Sequence, residues 1–138
     1  MSGFNDRIID EFRANGGVVT TAGFGDGLVL LHTTGARSGE PRINPLMALT
    51  TDGGWIVIAS AAGDTRHPAW YFNLRKNVDV AVETGTEIVP ARAIELTGSD
   101  YDAAWAEFTR RSAAFEQYKQ RANGRVMPIV RLAASGSR

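Results

Sequence analysis

Two stretches of the chain carry residue types that could do chemistry, and both suit anions or flat rings. The first, residues 33–42, reads Thr33-Thr34-Gly35-Ala36-Arg37-Ser38-Gly39-Glu40-Pro41-Arg42, with three hydroxyls, two glycines and two arginines between apolar runs. Exposed backbone amides and guanidinium forks of this kind meet phosphates or carboxylates. It is not a nucleotide P-loop, because Gly39 is followed by Glu40 rather than by Lys and then Ser or Thr. The same composition also describes a polar hairpin loop whose arginines are solvated. The second stretch, residues 60–74, passes from Ser60, Ala61, Ala62 and Gly63 through Arg66 and His67 to Pro68-Ala69-Trp70-Tyr71-Phe72-Asn73-Leu74. Small residues let a ring approach the backbone closely, and a helix N-terminus favours negative charge, so a planar anionic ligand would suit this segment. Trp70, Phe72 and Leu74 are expected in the core, as aromatic side chains dominate small cores, which leaves Tyr71 and Asn73 as the polar remainder.

Other chemistries find little support. His32 and His67 are the two histidines, neither with close acidic ligand spacing, so no metal site is expected. His32 lies in an apolar run and reads as a hydrogen-bonded core residue, whereas His67 flanks a loop, where ligand or solvent could meet it. There is no Gly-x-Ser-x-Gly elbow to mark a serine nucleophile. Glu83, Glu87 and Glu95 fall in expected strands, where alternating exposed charge explains them, and they receive no role.

Composition bounds the partner. The chain has 138 residues, 43% hydrophobic and 22% charged, a globular composition with a length suited to one domain, expected over residues 4–134 with a frayed tail at 135–138. Fifteen basic and fifteen acidic residues cancel, which argues against a nucleic-acid partner and for a small molecule. No apolar run approaches the ~18 residues of a transmembrane helix. Cysteine is absent, which removes disulfides and thiolate chemistry, and no signal pattern opens the chain, so a cytoplasmic protein is expected.

The elements that must position the two stretches follow from periodicity. Phe4, Ile8, Ile9 and Phe12 recur at helical spacing after Asn5, a candidate N-cap, with Gly16-Gly17 as the stop. After a loop containing Gly23, Gly25 and Gly27, strands are expected over 28–33, 43–50 and 55–59, the last two joined by the turn Asp52-Gly53-Gly54. A helix is expected over 68–76, with Pro68 at its first position, then a hairpin of strands over 78–82 and 86–94 around Gly85. Pro90 marks its strand as an edge or a bulge. Ser99 can cap a helix striped by Tyr101, Ala104, Trp105 and Phe108, and residues 127–133 supply a sixth strand. Six strands without β-α-β alternation imply a small antiparallel barrel rather than a Rossmann sheet.

Taken in order, 31–39, 41–46, 67–74 and 127–130 (LHTTGARSG, PRINPL, HPAWYFNL and MPIV) resemble the deazaflavin-dependent nitroreductase family, reductases that use coenzyme F(420). The likeness covers nearly the whole chain after residue 4. It implies a mainly β fold with helices (α+β), an antiparallel split β-barrel of the FMN-binding-like kind, acting as an F(420)H2-dependent oxidoreductase that passes hydride to an organic acceptor such as a quinone, an enone or a nitro compound. It implies that Arg37, Ser38 and Arg42 face the coenzyme's phosphate and glutamyl tail and that Asn44, Pro45 and Met47 line the groove. By the same resemblance Ala59, Ser60 and Ala61 offer backbone to the deazaflavin ring, with Arg66 the nearest cation, and Ala69, Trp70 and Asn73 close the other side. Relatives place a basic residue directly after the ring-loop serine, where this chain has Ala61 and Ala62. Some also present tyrosines after the long helix, where Phe115 cannot donate a proton and Tyr118 could, so Tyr118 is the catalytic candidate. A non-catalytic F(420) carrier and an FMN-binding split barrel stay open as alternatives, as do monomer and homodimer.

Overall fold

The computed structural model describes residues 3–21, 24–60, 66–122 and 126–135; Gly23, Ala61, Ala62 and the tail from residue 136 onward lie outside them. Six strands, β1 (Leu28–Thr34), β2 (Pro41–Thr51), β3 (Gly54–Ile58), β4 (Asp79–Glu83), β5 (Ile88–Glu95) and β6 (Ile129–Ala134), close into an antiparallel barrel in the order β1-β2-β3-β6-β5-β4. Four helices, α1 (Phe4–Ala14), α2 (Ala69–Lys76), α3 (Gly98–Arg111) and α4 (Ala114–Arg121), pack around it. Among the described residues, no helix is long and apolar enough to cross a membrane.

Three apolar clusters explain the sequence pattern. Val29 and Leu31 of β1 join Val57, Val82, Val130 and Leu132 inside the barrel, where Trp70, Tyr71 and Leu74 of α2 plug one end. Leu28 and Leu30 point the other way, under Ile8, Ile9 and Phe12 of α1. With both faces covered, β1 reads as an unbroken apolar run rather than an alternation. A third cluster seats Ala104 and Phe108 of α3 on Leu49, Ile58 and Ile129. The Tyr101 hydroxyl donates to the Met127 carbonyl at 2.7 Å, tying α3 to the segment that leads into β6.

The six strands, the two hairpin turns and the helices α1 to α3 agree with the sequence reading, and the differences have physical causes. α1 starts at Phe4 with Gly3, not Asn5, at its cap, because the Asp6 carboxylate accepts the Gly3 amide at 3.4 Å. Pro68 is the N-cap of α2 rather than its first residue, in an extended conformation (ψ 153°) that no helical residue adopts. α3 opens one residue before Ser99, after Thr97. α4 was not expected, since it buries none of its residues and so shows no core stripe. β2 begins at Pro41, which takes Arg42 out of the loop and onto a strand. Pro90 lies on no edge, because the closed barrel has none there: its carbonyl accepts the Ser135 amide at 2.9 Å, so its missing N–H faces the last rung of the β5–β6 ladder. Phe72 is exposed rather than in the core. Glu83 is a buried, fully paired carboxylate rather than part of an exposed alternation.

Candidate functional site

The loop between β1 and β2 is built to present side chains. The Gly35 amide donates to the Glu40 carbonyl at 2.8 Å and the Gly39 amide to the Gly35 carbonyl at 3.0 Å, closing a tight turn that Gly39 completes at φ +72°. A Cβ on Gly35 would lie 2.5 Å from Ser38 Oγ, so glycine is required for the Ser38 hydroxyl to fold inward. There Ser38 Oγ accepts from the Glu40 amide at 3.1 Å and from Arg42 Nη2 at 3.4 Å.

Asn73 of α2 holds this loop from behind. Its Oδ1 accepts the Ala36 amide at 2.9 Å and its Nδ2 donates to Thr33 Oγ1 at 3.2 Å, both within a buried setting. Lys76 Nζ donates to the Ala36 carbonyl at 2.7 Å, one helical turn further on. The loop therefore has α2 as its base, which brings the two chemistry-bearing stretches together in space although residues 43–59 separate them in the chain.

Two clefts lie side by side across β2 and the start of α2. One, of about 710 Å³, is lined by Gly35, Ala36, Arg37, Ser38, Arg42 and Asn44 together with Ala69, Phe72 and Asn73. Arg37 and Arg42 are both exposed, and among the described residues the ion pair of Arg42 is a long contact to Glu40, 3.9 Å. Two guanidinium groups, a hydroxyl and the electropositive N-terminus of α2 give this cleft a chemistry that suits a polyanion. The other cleft, of about 510 Å³, is apolar: Pro45, Leu46 and Met47 of β2, Trp70 of α2, Phe4 and Ile8 of α1, and Phe115 and Tyr118 of α4 are among its lining residues. Among the described residues, the polar side chains in its lining are Asn5, Ser60, Ser112 and Tyr118, with the indole of Trp70. The lining passes from one cleft to the other between neighbouring residues, at Asn44 and Pro45 on β2 and at Ala69 and Trp70 on α2.

The residues singled out in the sequence divide between these clefts. Arg37, Ser38, Arg42, Asn44, Ala69 and Asn73 gather in the polar one, and Pro45, Met47, Ser60, Trp70 and Tyr118 in the apolar one. Ala59 and Arg66 line neither: Ala59 is fully buried with its amide given to the Pro128 carbonyl at 2.8 Å, and Arg66 is exposed. Ala61 lies outside the described residues. The resemblance had placed Phe115 beside the acceptor, but sequence reasoning did not anticipate the walls supplied by Phe4, Phe24 and Phe72. The signal for Phe4 was available, because Phe4 and Ile8 share one helical face while Phe4 sits too near the helix end to be covered by the barrel.

Tyr118 and its neighbours form an aromatic rank. The Phe115 ring stands edge-on to Phe108 at 5.3 Å and to Tyr118 at 5.9 Å, and the Arg121 guanidinium lies 5.7 Å from the Tyr118 ring centre. Below the clefts, the Tyr71 hydroxyl donates to Glu95 Oε1 at 2.8 Å, and burial, then the Glu95 contact, raises its pKa above the ordinary phenol value. That tyrosine is a structural anchor of α2 rather than a proton source. His32 Nε2 lies 2.8 Å from Glu83 Oε1, on the far side of β1 from the barrel interior. Among the described residues, no group of three or more His, Asp or Glu side chains could hold a metal.

Comparison with known proteins identifies the family. The pattern of the F(420)H(2)-dependent quinone reductase family matches residues 6–133. An F(420)H(2)-dependent quinone reductase of Mycobacterium tuberculosis is 34% identical over 105 residues, which is 74% of this chain and 70% of the relative. A solved F(420)H2-dependent reductase superposes with a TM-score of 0.69 at 34% identity, covering 77% of this chain and 93% of that one. The haem storage protein HutZ of Vibrio cholerae superposes with a TM-score of 0.58 at 19% identity, covering 94% of this chain and 89% of that one, and shares the fold alone. With the pattern spanning almost its whole length, the chain belongs to the F(420)H(2)-dependent quinone reductase family.

Proposed function

We propose that this reductase binds coenzyme F(420) across both clefts, with its phosphate and acidic tail in the polar one and its flat ring at the junction, and that it reduces quinones in the apolar one. The observation that carries the reading is the pair of clefts that β2 and α2 line, one bearing two arginines and the other mostly apolar groups. The donor set fits the coenzyme: guanidinium groups for the anionic tail, and Trp70, Pro45 and the small Ala69 for a planar ring. When bound in its reduced form, the coenzyme supplies a hydride.

Each protein group then has a task. Arg37 and Arg42 would hold the tail by charge-assisted hydrogen bonds, and Ser38 Oγ, which accepts from Arg42 Nη2, orients that guanidinium. Asn73 keeps the loop in register with α2, so that tail and ring are fixed relative to one another. Leu46, Met47 and Phe115 exclude water from the acceptor, which protects the transferred hydride and strengthens the remaining polar contacts. Reduction of a quinone to a hydroquinone takes one hydride and one proton, and Tyr118 Oη, at the wall of the apolar cleft, holds that proton for the acceptor oxygen.

Stopped-flow mixing of the protein and F(420)H2 with a quinone, an enone and a nitroarene tests the reading. Acceptor-dependent oxidation of the coenzyme is expected, fastest with the quinone. Tight coenzyme binding without turnover for any acceptor would make the protein a carrier and refute it.

A further inference from the structure

We infer that Glu83 is a positioning residue for the acceptor, acting through α1, on the understanding that the apolar cleft receives a quinone as proposed above. Glu83 ends β4 in a buried position, and both of its carboxylate oxygens are engaged. Arg13 Nε donates to Oε2 at 2.9 Å and Arg13 Nη2 to Oε1 at 2.9 Å, while His32 Nε2 lies 2.8 Å from Oε1. A bidentate fork of this kind sets the plane of the guanidinium as well as its distance.

Arg13 stands in the last turn of α1, and Phe4 and Asn5 in the first. At 1.5 Å per residue the two ends are about 13 Å apart along the helix axis. The Arg13 end is clamped. Beside the fork, the backbones of Gly16 and Gly85 touch so closely that a Cβ on Gly85 would fall on the Gly16 carbonyl oxygen. Glu11 Oε2 accepts the Thr20 amide and hydroxyl, each at 2.8 Å, and Glu11 Oε1 accepts the Thr21 hydroxyl at 2.6 Å. The Phe4 end instead forms a wall of the apolar cleft, where Phe4 is 48% exposed and meets Phe24 at 6.5 Å between ring centres.

A helix clamped at one end moves most at the other. Loss of the fork leaves the strand ladders intact, since β4 pairs with β1 and β5 through backbone groups, yet it removes the side-chain link between α1 and β4, so that α1 can tilt about the buried Ile8, Ile9 and Phe12 and the Glu11 contacts that remain. The displacement arrives at Phe4 and Asn5, at the acceptor, and not at the arginines of the polar cleft, to which α1 contributes no lining residue.

Glu83→Gln and, separately, Arg13→Gln test this, with menadione as the quinone. Four readouts are needed: menadione affinity from quenching of tryptophan fluorescence, coenzyme affinity from F(420) fluorescence, hydrogen exchange across α1, and KM against kcat. Menadione Kd and KM are expected to rise about tenfold with faster exchange in the first turn of α1, while coenzyme Kd and kcat stay within about twofold. Arg13→Lys, which keeps the charge but not the fork, should fall between. Unchanged menadione affinity in a folded variant, or coenzyme affinity lost in parallel, would overturn the inference. If Glu83→Gln does not fold, Arg13→Gln decides alone, because Arg13 is half exposed. A wild-type protein that binds menadione but fails to turn over sinks the functional reading and leaves the binding comparison intact, whereas one that does not bind menadione contradicts both.

Discussion

The polar and apolar clefts share a strand and a helix, yet they are built on opposite terms. In the polar cleft the working side chains are exposed, and precision comes from behind, from the buried Asn73 and the inward hydroxyl of Ser38. In the apolar cleft Trp70 is itself part of the barrel core, and the walls are borrowed from helices α1 and α4 outside it. An anchor for a polyanion needs long, solvated cations on a fixed loop. A chamber for hydride transfer needs dry, close walls. The difference predicts that coenzyme affinity and acceptor selectivity can be altered independently.

The largest expected effect comes from removing both guanidinium groups. Arg42→Ala alone should weaken coenzyme binding by ~1.5–3 kcal/mol, the range for a hydrogen bond to a charged group, and the double change with Arg37→Ala should approach a thousandfold, about 4 kcal/mol, in a fluorescence titration. Unchanged affinity would remove the polar cleft from the coenzyme site. Next, Tyr118→Phe keeps the ring and deletes the proton, so quinone turnover should fall about a hundredfold at constant coenzyme affinity. A full-rate variant would assign the proton to solvent and dissolve the catalytic distinction between the clefts.

Asn73→Ala bears on the junction. It orphans the Ala36 amide and the Thr33 hydroxyl, so unfolding free energy should drop by about 2 kcal/mol, and coenzyme affinity should fall with it because the arginine loop loses its base. A stability loss with full affinity would show that the loop holds its shape unaided.

The smallest effect is one of pH and concerns α1. Hydrogen bonds from Thr21, then Thr20, lower the Glu11 pKa from 4.5 to about 2. Because the folded value is depressed, the stabilisation is complete above 4.5 and is lost as pH falls towards 2. Glu11→Gln should therefore lower stability above pH 4.5, by an amount that solvent screening keeps small, and flatten the acid limb between there and pH 2. Glu83, lowered chiefly by its Arg13 contact, acts in the same direction, so some acid dependence should survive in the Glu11 variant. An unaltered acid limb would mean that the α1 clamp does not depend on Glu11.

Much of this architecture was legible in the sequence because local signals were strong. The glycine turns at Gly39 and Gly53, the two-faced apolar run of β1 and the helical stripe of α3 each follow from one residue pattern. The clustering of Arg37, Ser38, Arg42 and Asn73 was also readable, but through family resemblance rather than spacing. What stayed hidden depends on tertiary partners. Glu83 looked like an ordinary strand carboxylate because nothing local reveals that Arg13, seventy residues away, will meet it. Phe72 looked like core because helical periodicity cannot say which side of α2 faces a cleft. α4 was invisible because Phe115 and Tyr118, its two residues packed on the core, are only partly buried and too few to mark a stripe.

Fluorescence titration of the purified protein with oxidised F(420), run beside an identical titration with FMN, tests the central claim most directly. Saturable binding of the deazaflavin at micromolar concentration or below, lost in the Arg37 and Arg42 double variant, is the expected result. Binding of FMN without binding of F(420) would contradict the account.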